Sequence, residues 1–377
     1  MCAETVCSVC PLLTIKKLHS SEGCKGTEVR LTHLQLPGPT FLPFLKTGVT
    51  LASFKSSGML NHTEVCEFIL LGLTDIQGLQ YFFFISFLLL YLTSILGNGV
   101  IVTMVISQPQ LHTPMYFFLG NLSCLDIFYS TVTVPKMLTG FLFGRQPISF
   151  GGCLAQLYFF HFLGSTEAVL LATMAYDRYV AICNPLCYTL VMNPRTCLLL
   201  ATASWSVGFA HAMMHSIMTS QLSFCGHNHI HHFFCDVKPL LNLACSSTSL
   251  SMTLLNVVTT SIALGPFILI VLSYLYIIIF LFQKVKSQEG RWKPFSTCAS
   301  HLTVVALLYI PLFFNYTPPS SSSSSNRDMQ VSVMYSAITP ALNPLIYTLR
   351  NQEVRSTLNK MLGRKLFPGG KWQGQGS

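Results

Sequence analysis

Charge is what this chain of 377 residues has least of: Asp, Glu, Lys and Arg together make up 9% of it. Hydrophobic residues make up 51% and aromatic residues 12%. So small a supply of charge excludes water as the chain's only solvent and marks a membrane protein. The signatures of bond-making chemistry are also missing. No glycine-rich phosphate loop, G-x-S-x-G elbow or H-E-x-x-H helix occurs in the sequence, so an enzymatic reading has no foothold. Nor does a signal-peptide core stand out near the start, because Lys16 and Lys17 follow the short run PLLTI.

What the chain has in quantity is long apolar runs. A membrane-spanning helix needs about 20 mostly apolar residues, and seven stretches qualify: 81–106, 115–138, 152–178, 196–217, 253–282, 295–316 and 330–349. The first carries no charge, the second contains Asp126 and the third contains Glu167. The fourth is the least secure, because His211 and His215 lie within it. The expected fold is therefore an all-α membrane protein, a bundle of seven transmembrane helices at 81–349.

Basic residues give the expected orientation, since cytoplasmic flanks retain positive charge. Arg178, Arg195, Lys284, Lys286, Arg291, Lys293 and the basic tail after Arg350 fall on one side, against Arg145, Lys238 and Arg327 on the other. The amino terminus is then extracellular and the tail, 350–377, cytoplasmic. A basic face beside anionic lipid accounts for the net charge of +9, so membrane lipid is an expected partner and nucleic acid is not.

Residues 1–58 read as an atypical, disordered extension, because Met59 opens a segment with the character of a natural start, and 59–80 as the extracellular amino-terminal segment. Asn61 begins a glycosylation sequon there; the sequons at Asn121 and Asn315 fall in or against the membrane and are read as chance. The longest outer loop holds Cys225, Cys235 and Cys245, and Cys153 begins the third span. Four cysteines in an oxidising exterior make two bridges, and spacing leaves three connectivities open. His227, His229, His231 and His232 crowd the same loop. They are weak metal candidates, as is the His211 and His215 pair at a spacing of four, and no firm metal site follows.

Ionisable groups inside a bilayer are costly, by about 3 kcal/mol on insertion scales, so each points to a function. Asp126 and Glu167 facing the bundle centre can share a cation such as Na⁺, or be held neutral by hydrogen bonds. Asp177 and Arg178 close the third span as neighbours. Neighbours on a helix do not share a face, so Arg178 is expected to point away from Asp177, toward another helix, a partner or the lipid headgroups. Asn343-Pro344 interrupts the seventh span, and Pro266 and Pro311 the fifth and sixth. Such breaks serve as hinges or as static kinks.

The segments GNGVIV (97–102), LHTPMYFFLGNLSCLD (111–126), MAYDRYVAICNPLCY (174–188), SYLYII (273–278), KPFSTCASHLTVV (293–305) and NPLIYTLRNQEV (343–354) together resemble those of vertebrate olfactory receptors, rhodopsin-like G-protein-coupled receptors. The resemblance covers about 59–362. It implies a seven-helix receptor of the plasma membrane with a short cytoplasmic amphipathic helix after the seventh span, and bridges Cys153–Cys235 and Cys225–Cys245. It implies that Asp177, Arg178 and Tyr179, with Asn343, Pro344 and Tyr347, form the switch that meets a heterotrimeric G protein of the stimulatory olfactory type. Asn98, Asp126 and Glu167 match the family's central polar site, with Na⁺ as an allosteric ion and no other cofactor. By position, Phe160, His161, Gly164, Ser165, Thr259, Tyr309, Leu312, Phe313 and Ser336 are the candidates to line a pocket for a small-molecule odorant.

Four features depart from the family pattern: Pro294 before FSTC, Ile310-Pro311 after Tyr309, Cys187 where a basic or His residue is common, and the 1–58 extension, which has no counterpart in most members. The function expected is odorant binding that raises cAMP through the G protein. A chemosensory receptor for a metabolite is the alternative within receptors. A transporter or channel is the alternative from another class, disfavoured by the odd span count and by the lack of internal similarity.

Overall fold

In the computed structural model, residues 66–74, 76–225, 228–246, 249–316, 324–350 and 352–366 are described. Asn61, His227 and the 1–58 extension lie outside them.

Seven long helices form the bundle: α1 (Gln77–Ser107), α2 (Pro114–Phe143), α3 (Phe150–Cys183), α4 (Pro194–Ser220), α5 (Ser249–Lys284), α6 (Gln288–Tyr316) and α7. The last is composite, running through Ser324–Val333, a π-helical stretch Met334–Ile338 and Thr339–Arg350. A further helix, α8 (Gln352–Leu366), follows. Five of these, α1 to α5, contain stretches long and apolar enough to cross a membrane, while the apolar part of α6 is the shorter Cys298–Phe314. Polar Ser, Thr and Asn side chains dilute α7.

Local sequence sets the helix ends. Pro114 and Pro194 occupy first-turn positions, where a missing N–H loses nothing. Ser149 Oγ accepts from Gly152 N–H at 3.1 Å and Asn193 Oδ1 from Thr196 N–H at 3.0 Å, capping α3 and α4. Gly144 ends α2 at φ 74°, a conformation that favours glycine. Helix α6 continues through Pro294 and Pro311.

The core is made where α2, α3, α4, α6 and α7 face one another; Leu122, Leu170, Leu171 and Val304 are wholly buried. The reverse holds outside. Tyr81, Phe82, Ile85 and Leu89 of α1 and Ile268, Leu269 and Phe282 of α5 are all more than half exposed. Two apolar stripes of that length turned outward require hydrocarbon rather than water around them.

Helices α3 and α4 approach closely because Gly208 has no side chain. A Cβ placed there meets Thr166 Oγ1, and the Phe162 carbonyl oxygen at 2.6 Å. Gly208→Ala must therefore push the two helices apart. Its expected effect is a loss of about 1–3 kcal/mol, read as a lowered melting temperature of the purified protein.

At one end of the bundle lies a small sheet. β1 (Glu67–Leu70) is its centre, pairing antiparallel with β2 (Gln146–Ser149) and parallel with β3 (His229–Ile230). Cys153 is bonded to Cys235 and Cys225 to Cys245, fastening the α4–α5 segment over this end. Phe68 is wholly buried, with its ring 5.2 Å from Phe224.

Candidate functional site

Under the bridged segment the helices leave a cavity of about 210 Å³. Of the nine residues expected there, Phe160, His161, Gly164 and Ser165 of α3, Thr259 of α5 and Leu312 of α6 line it. Tyr309, Phe313 and Ser336 do not, and the expectation is corrected for those three. On α6 the cavity face passes through Leu308 and Leu312. Tyr309 and Phe313, one position on, turn to Phe267 of α5, with ring centres 4.8 and 4.9 Å from it. On α7 the π-helical stretch is wider than a regular turn. Ser332 and Tyr335 reach the cavity while Ser336 is buried beside it.

The wall also has residues that positional reasoning missed. His211 and His215 of α4 line it together with Tyr129, Asn256, Asp236 and Lys238. The two histidines are buried in an unbroken helix, so the doubt they cast on the fourth span falls away. Ser165 Oγ lies 2.6 Å from His211 Nδ1, and Thr259 Oγ1 lies 3.2 Å from His211 Nε2. Among the described residues no three His, Cys, Asp or Glu side chains converge in a way that holds a metal ion.

Of the loop histidines, His229 and His231 are exposed and His232 is buried. Phe234 N–H donates to His232 Nδ1 at 3.3 Å, and rings of Phe233 and Phe234 enclose it. Burial lowers the affinity of His232 for a proton to a pKa of about 4. The unfolded chain therefore binds the proton more tightly than the folded one. Stability is full above the ordinary value near 6.5 and falls as pH drops toward 4, by about 2 kcal/mol at pH 5. Melting measured at pH 7.5 and pH 5 should show this loss, and His232→Phe should reduce it.

Midway along the bundle several polar side chains are buried. Asn343 Nδ2 donates to both carboxylate oxygens of Asp126, at 3.1 and 3.0 Å. Asn98 Nδ2 donates to the carbonyls of Ser94 and Pro340 at 3.0 and 2.9 Å. Glu167 is buried on α3 within electrostatic range of Asp126. Asn343, grouped with the switch on sequence grounds, thus belongs to the centre. Pro344 beside it packs on α1, where a Cβ on Gly97 would stand 2.8 Å from its ring. Asn121 is also buried and accepts from Trp205 Nε1 at 3.2 Å, which leaves no room for a glycan.

At the far end of α3, Asp177 is wholly buried. Arg178 does not point away from it: Arg178 Nε donates to Asp177 Oδ2 at 2.9 Å, and Nη2 bonds the same oxygen. The expectation from helix faces is corrected here, because it holds for short side chains. An arginine is long enough to curl back around the helix to its neighbour. Tyr188, in the short helix Tyr188–Val191, donates to Asp177 Oδ1 at 2.8 Å. Burial, and then the negative charge of Asp177, hold the Tyr188 phenol above its ordinary pKa, so it remains a donor. Arg178 and Tyr347 line one small cavity with His301. His301 Nδ1 is 2.8 Å from Tyr274 OH, and its Nε2 is 3.1 Å from the Leu171 carbonyl. Tyr179 stands aside, its ring 6.0 Å from that of Tyr276.

The comparisons agree with this architecture. The olfactory receptor family model matches residues 87–365. Human olfactory receptor 12D1 is 59% identical over 310 residues, 82% of this chain and 97% of that protein. Human olfactory receptor 12D3 is 58% identical over 84% and 99%, and mouse olfactory receptor 5B21 is 48% identical over 82% and 96%. Among solved structures, squid rhodopsin superposes with a TM-score of 0.56 over 80% of this chain and 85% of its own, at 15% identity, a likeness of fold. With a family match over most of its length and two relatives more than half identical across almost their whole extent, this chain belongs to the olfactory receptor family: it is a multi-pass membrane receptor and not an enzyme.

Proposed function

We propose that the protein is an odorant receptor of the plasma membrane, with its amino terminus extracellular and its tail cytoplasmic. In this reading it binds a small, largely apolar molecule in the cavity under the bridged segment and activates a stimulatory olfactory-type G protein, raising cAMP. One observation carries the reading. A single helix, α3, lines the cavity through His161 and Ser165, crosses the polar centre at Glu167 and ends at the Asp177–Arg178 pair. The thirteen steps of helix from Ser165 to Arg178 rise about 20 Å. A ligand that prefers one setting of α3 therefore biases the far end, and it does so only by its difference in affinity for the two settings.

The basic residues gathered at the Arg178 end support the orientation, as does the disulfide-bridged side opposite. In the centre, the oxygens Asn98 Oδ1, Asn343 Oδ1 and Glu167 Oε1 and the hydroxyls of Ser336 and Thr339 have no hydrogen-bond partner among the described residues. An all-oxygen set beside Asp126 suits a hard cation, so Na⁺ fits as an ion that steadies one setting.

The test is nucleotide exchange and cAMP in cells expressing the receptor and challenged with a chemically broad panel of volatiles. A rise in both is expected for at least one compound. Solute uptake or ion flux without exchange would replace the receptor reading by the transporter reading.

The contact from Tyr188 supplies a further prediction. Hydrogen bonds to charged groups contribute about 1.5–3 kcal/mol, and this one helps Asp177 hold Arg178. Tyr188→Phe should raise ligand-independent cAMP several-fold at equal surface level, and an unchanged basal signal would remove Tyr188 from the latch.

A further inference from the structure

Three imidazoles meet in the cavity wall, and the apolar guest described so far gives them no task. His211 and His215 approach Nε2 to Nε2 at 2.8 Å, and Thr259 Oγ1 lies 3.1 Å from His215 Nε2. The His161 ring stacks on His215, centres 4.2 Å apart, and its Nδ1 lies 3.0 Å from the Leu157 carbonyl, which fixes a proton on that nitrogen. His215 is 2% exposed, and its Nδ1 has no hydrogen-bond partner among the described residues.

Counting protons shows what is missing. A nitrogen pair at 2.8 Å holds one proton, so one ring donates and the other accepts. If Ser165 donates to His211 Nδ1, then His211 donates from Nε2 and His215 accepts. The remaining proton of His215 then sits on Nδ1 with nothing to receive it. If the chain runs the other way, the same Nδ1 is a bare acceptor. Either direction leaves a buried polar atom of the cluster unpaired, which is unfavourable.

The charged groups around the cluster narrow the guest. From the α4–α5 segment, Asp236 accepts from Val237 N–H at 2.7 Å and lies 3.8 Å from His161. Lys238 is 3.5 Å from Asp328 of α7. Tyr129 of α2 and Tyr335 of α7 are neutral walls, and Glu167 of α3 is not among the lining residues. The resident anion and cation are each engaged near the mouth, and the His211–His215 pair has no counter-ion of its own. A guest that brings both a proton and an anion completes it.

We propose that this cavity takes a short-chain monocarboxylic acid, bound together with one proton, with its carboxyl group on the His211–His215 pair and its alkyl chain against Ala168, Leu308 and Leu312. The acid keeps its proton: the carboxyl O–H donates to an imidazole nitrogen of the pair, and the carbonyl oxygen accepts from the Ser165 or Thr259 hydroxyl, so the proton enters and leaves with the guest and no bond is broken. A cavity of about 210 Å³ has room for a short-chain acid such as pentanoic acid, since about 10–15 Å³ on this measure already admits one water. The proposal rests on this cavity being the ligand site.

The experiment uses the full-length receptor in lipid nanodiscs, with radiolabelled pentanoic acid binding measured from pH 6 to pH 8 and cAMP measured separately in cells. An acid that is ionised in water but bound with a proton must lose affinity by about tenfold per pH unit. 1-Pentanol and methyl pentanoate should bind at least tenfold more weakly and without a slope. His211→Gln with His215→Gln should lower acid affinity by tenfold or more, and Thr259→Val should lower it a few-fold. The wild-type slope and the alcohol comparison need no variant to fold. Binding independent of pH, an ester or alcohol equal to the acid, or undiminished acid affinity in the histidine variant would overturn the proposal. If the acid binds with its slope and cAMP does not move, G-protein coupling is at fault and the site stands. If other odorants raise cAMP and the acid binds at no pH, the site is wrong and the receptor reading stands.

Discussion

Arg178→Ala is expected to reduce agonist-driven cAMP by an order of magnitude or more, and to destabilise the protein as well. The two effects have separate causes. The guanidinium is the long cationic group at the Arg178 end, and it adjoins the small cavity shared with Tyr347 and His301, where a partner can engage it. Its removal takes away the group that a G protein would meet. It also strips Asp177, wholly buried, of its cation and leaves Tyr188 as the remaining donor. Breaking a buried pair by deleting one member costs about 3–5 kcal/mol, because the other charge is left uncompensated. A combined Asp177→Asn, Arg178→Ala variant separates the causes: it should regain most of the melting temperature and none of the signal. Full signalling at normal surface level by Arg178→Ala would show that the G protein engages another group.

The second large effect is expected on folding. Cys235→Ser opens a bridge between residues 82 apart in the chain, and Cys245→Ser one between residues only 20 apart. Closing a longer loop removes more freedom from the unfolded chain, and loss of a native bridge costs about 2–5 kcal/mol. Cys235 also holds the roof of the cavity through its backbone, because its N–H donates to Gln156 Oε1 of α3 at 3.0 Å. Cys235→Ser should therefore lose surface delivery, measured by flow cytometry of intact cells, more completely than Cys245→Ser. The reverse order would mean that the short bridge organises the segment.

Most of the bundle was legible because a membrane leaves a coarse mark: runs of about 20 apolar residues end where charge and proline begin. The two deep carboxylates were legible for a related reason, since Asp126 and Glu167 are conspicuous in apolar surroundings, whereas Asn98 followed only from the family resemblance. What stayed hidden depends on rotation about a helix axis. Assigning pocket residues by number assumes a constant pitch, and the π-helical stretch before Thr339 breaks that assumption, bringing Tyr335 inward in place of Ser336. Tyr309 was misplaced by one step of α6. His211 and His215 carried a readable signal, a spacing of four on one helix face. That signal was weighed for metal rather than for a cavity wall. Tyr188 carried none, because only the turn after α3 brings its hydroxyl to Asp177.

The small sheet has a consequence for how the receptor is made. Its central strand, β1, leaves the ribosome about 160 residues before β3, which pairs with it through Ile69 and His229. During synthesis of the first four helices that strand has one neighbour at most, and Phe68, wholly buried at the end, stays uncovered. The roof over the ligand cavity is thus among the last parts to close, and its closure reports that the α4–α5 segment has reached the correct side of the membrane.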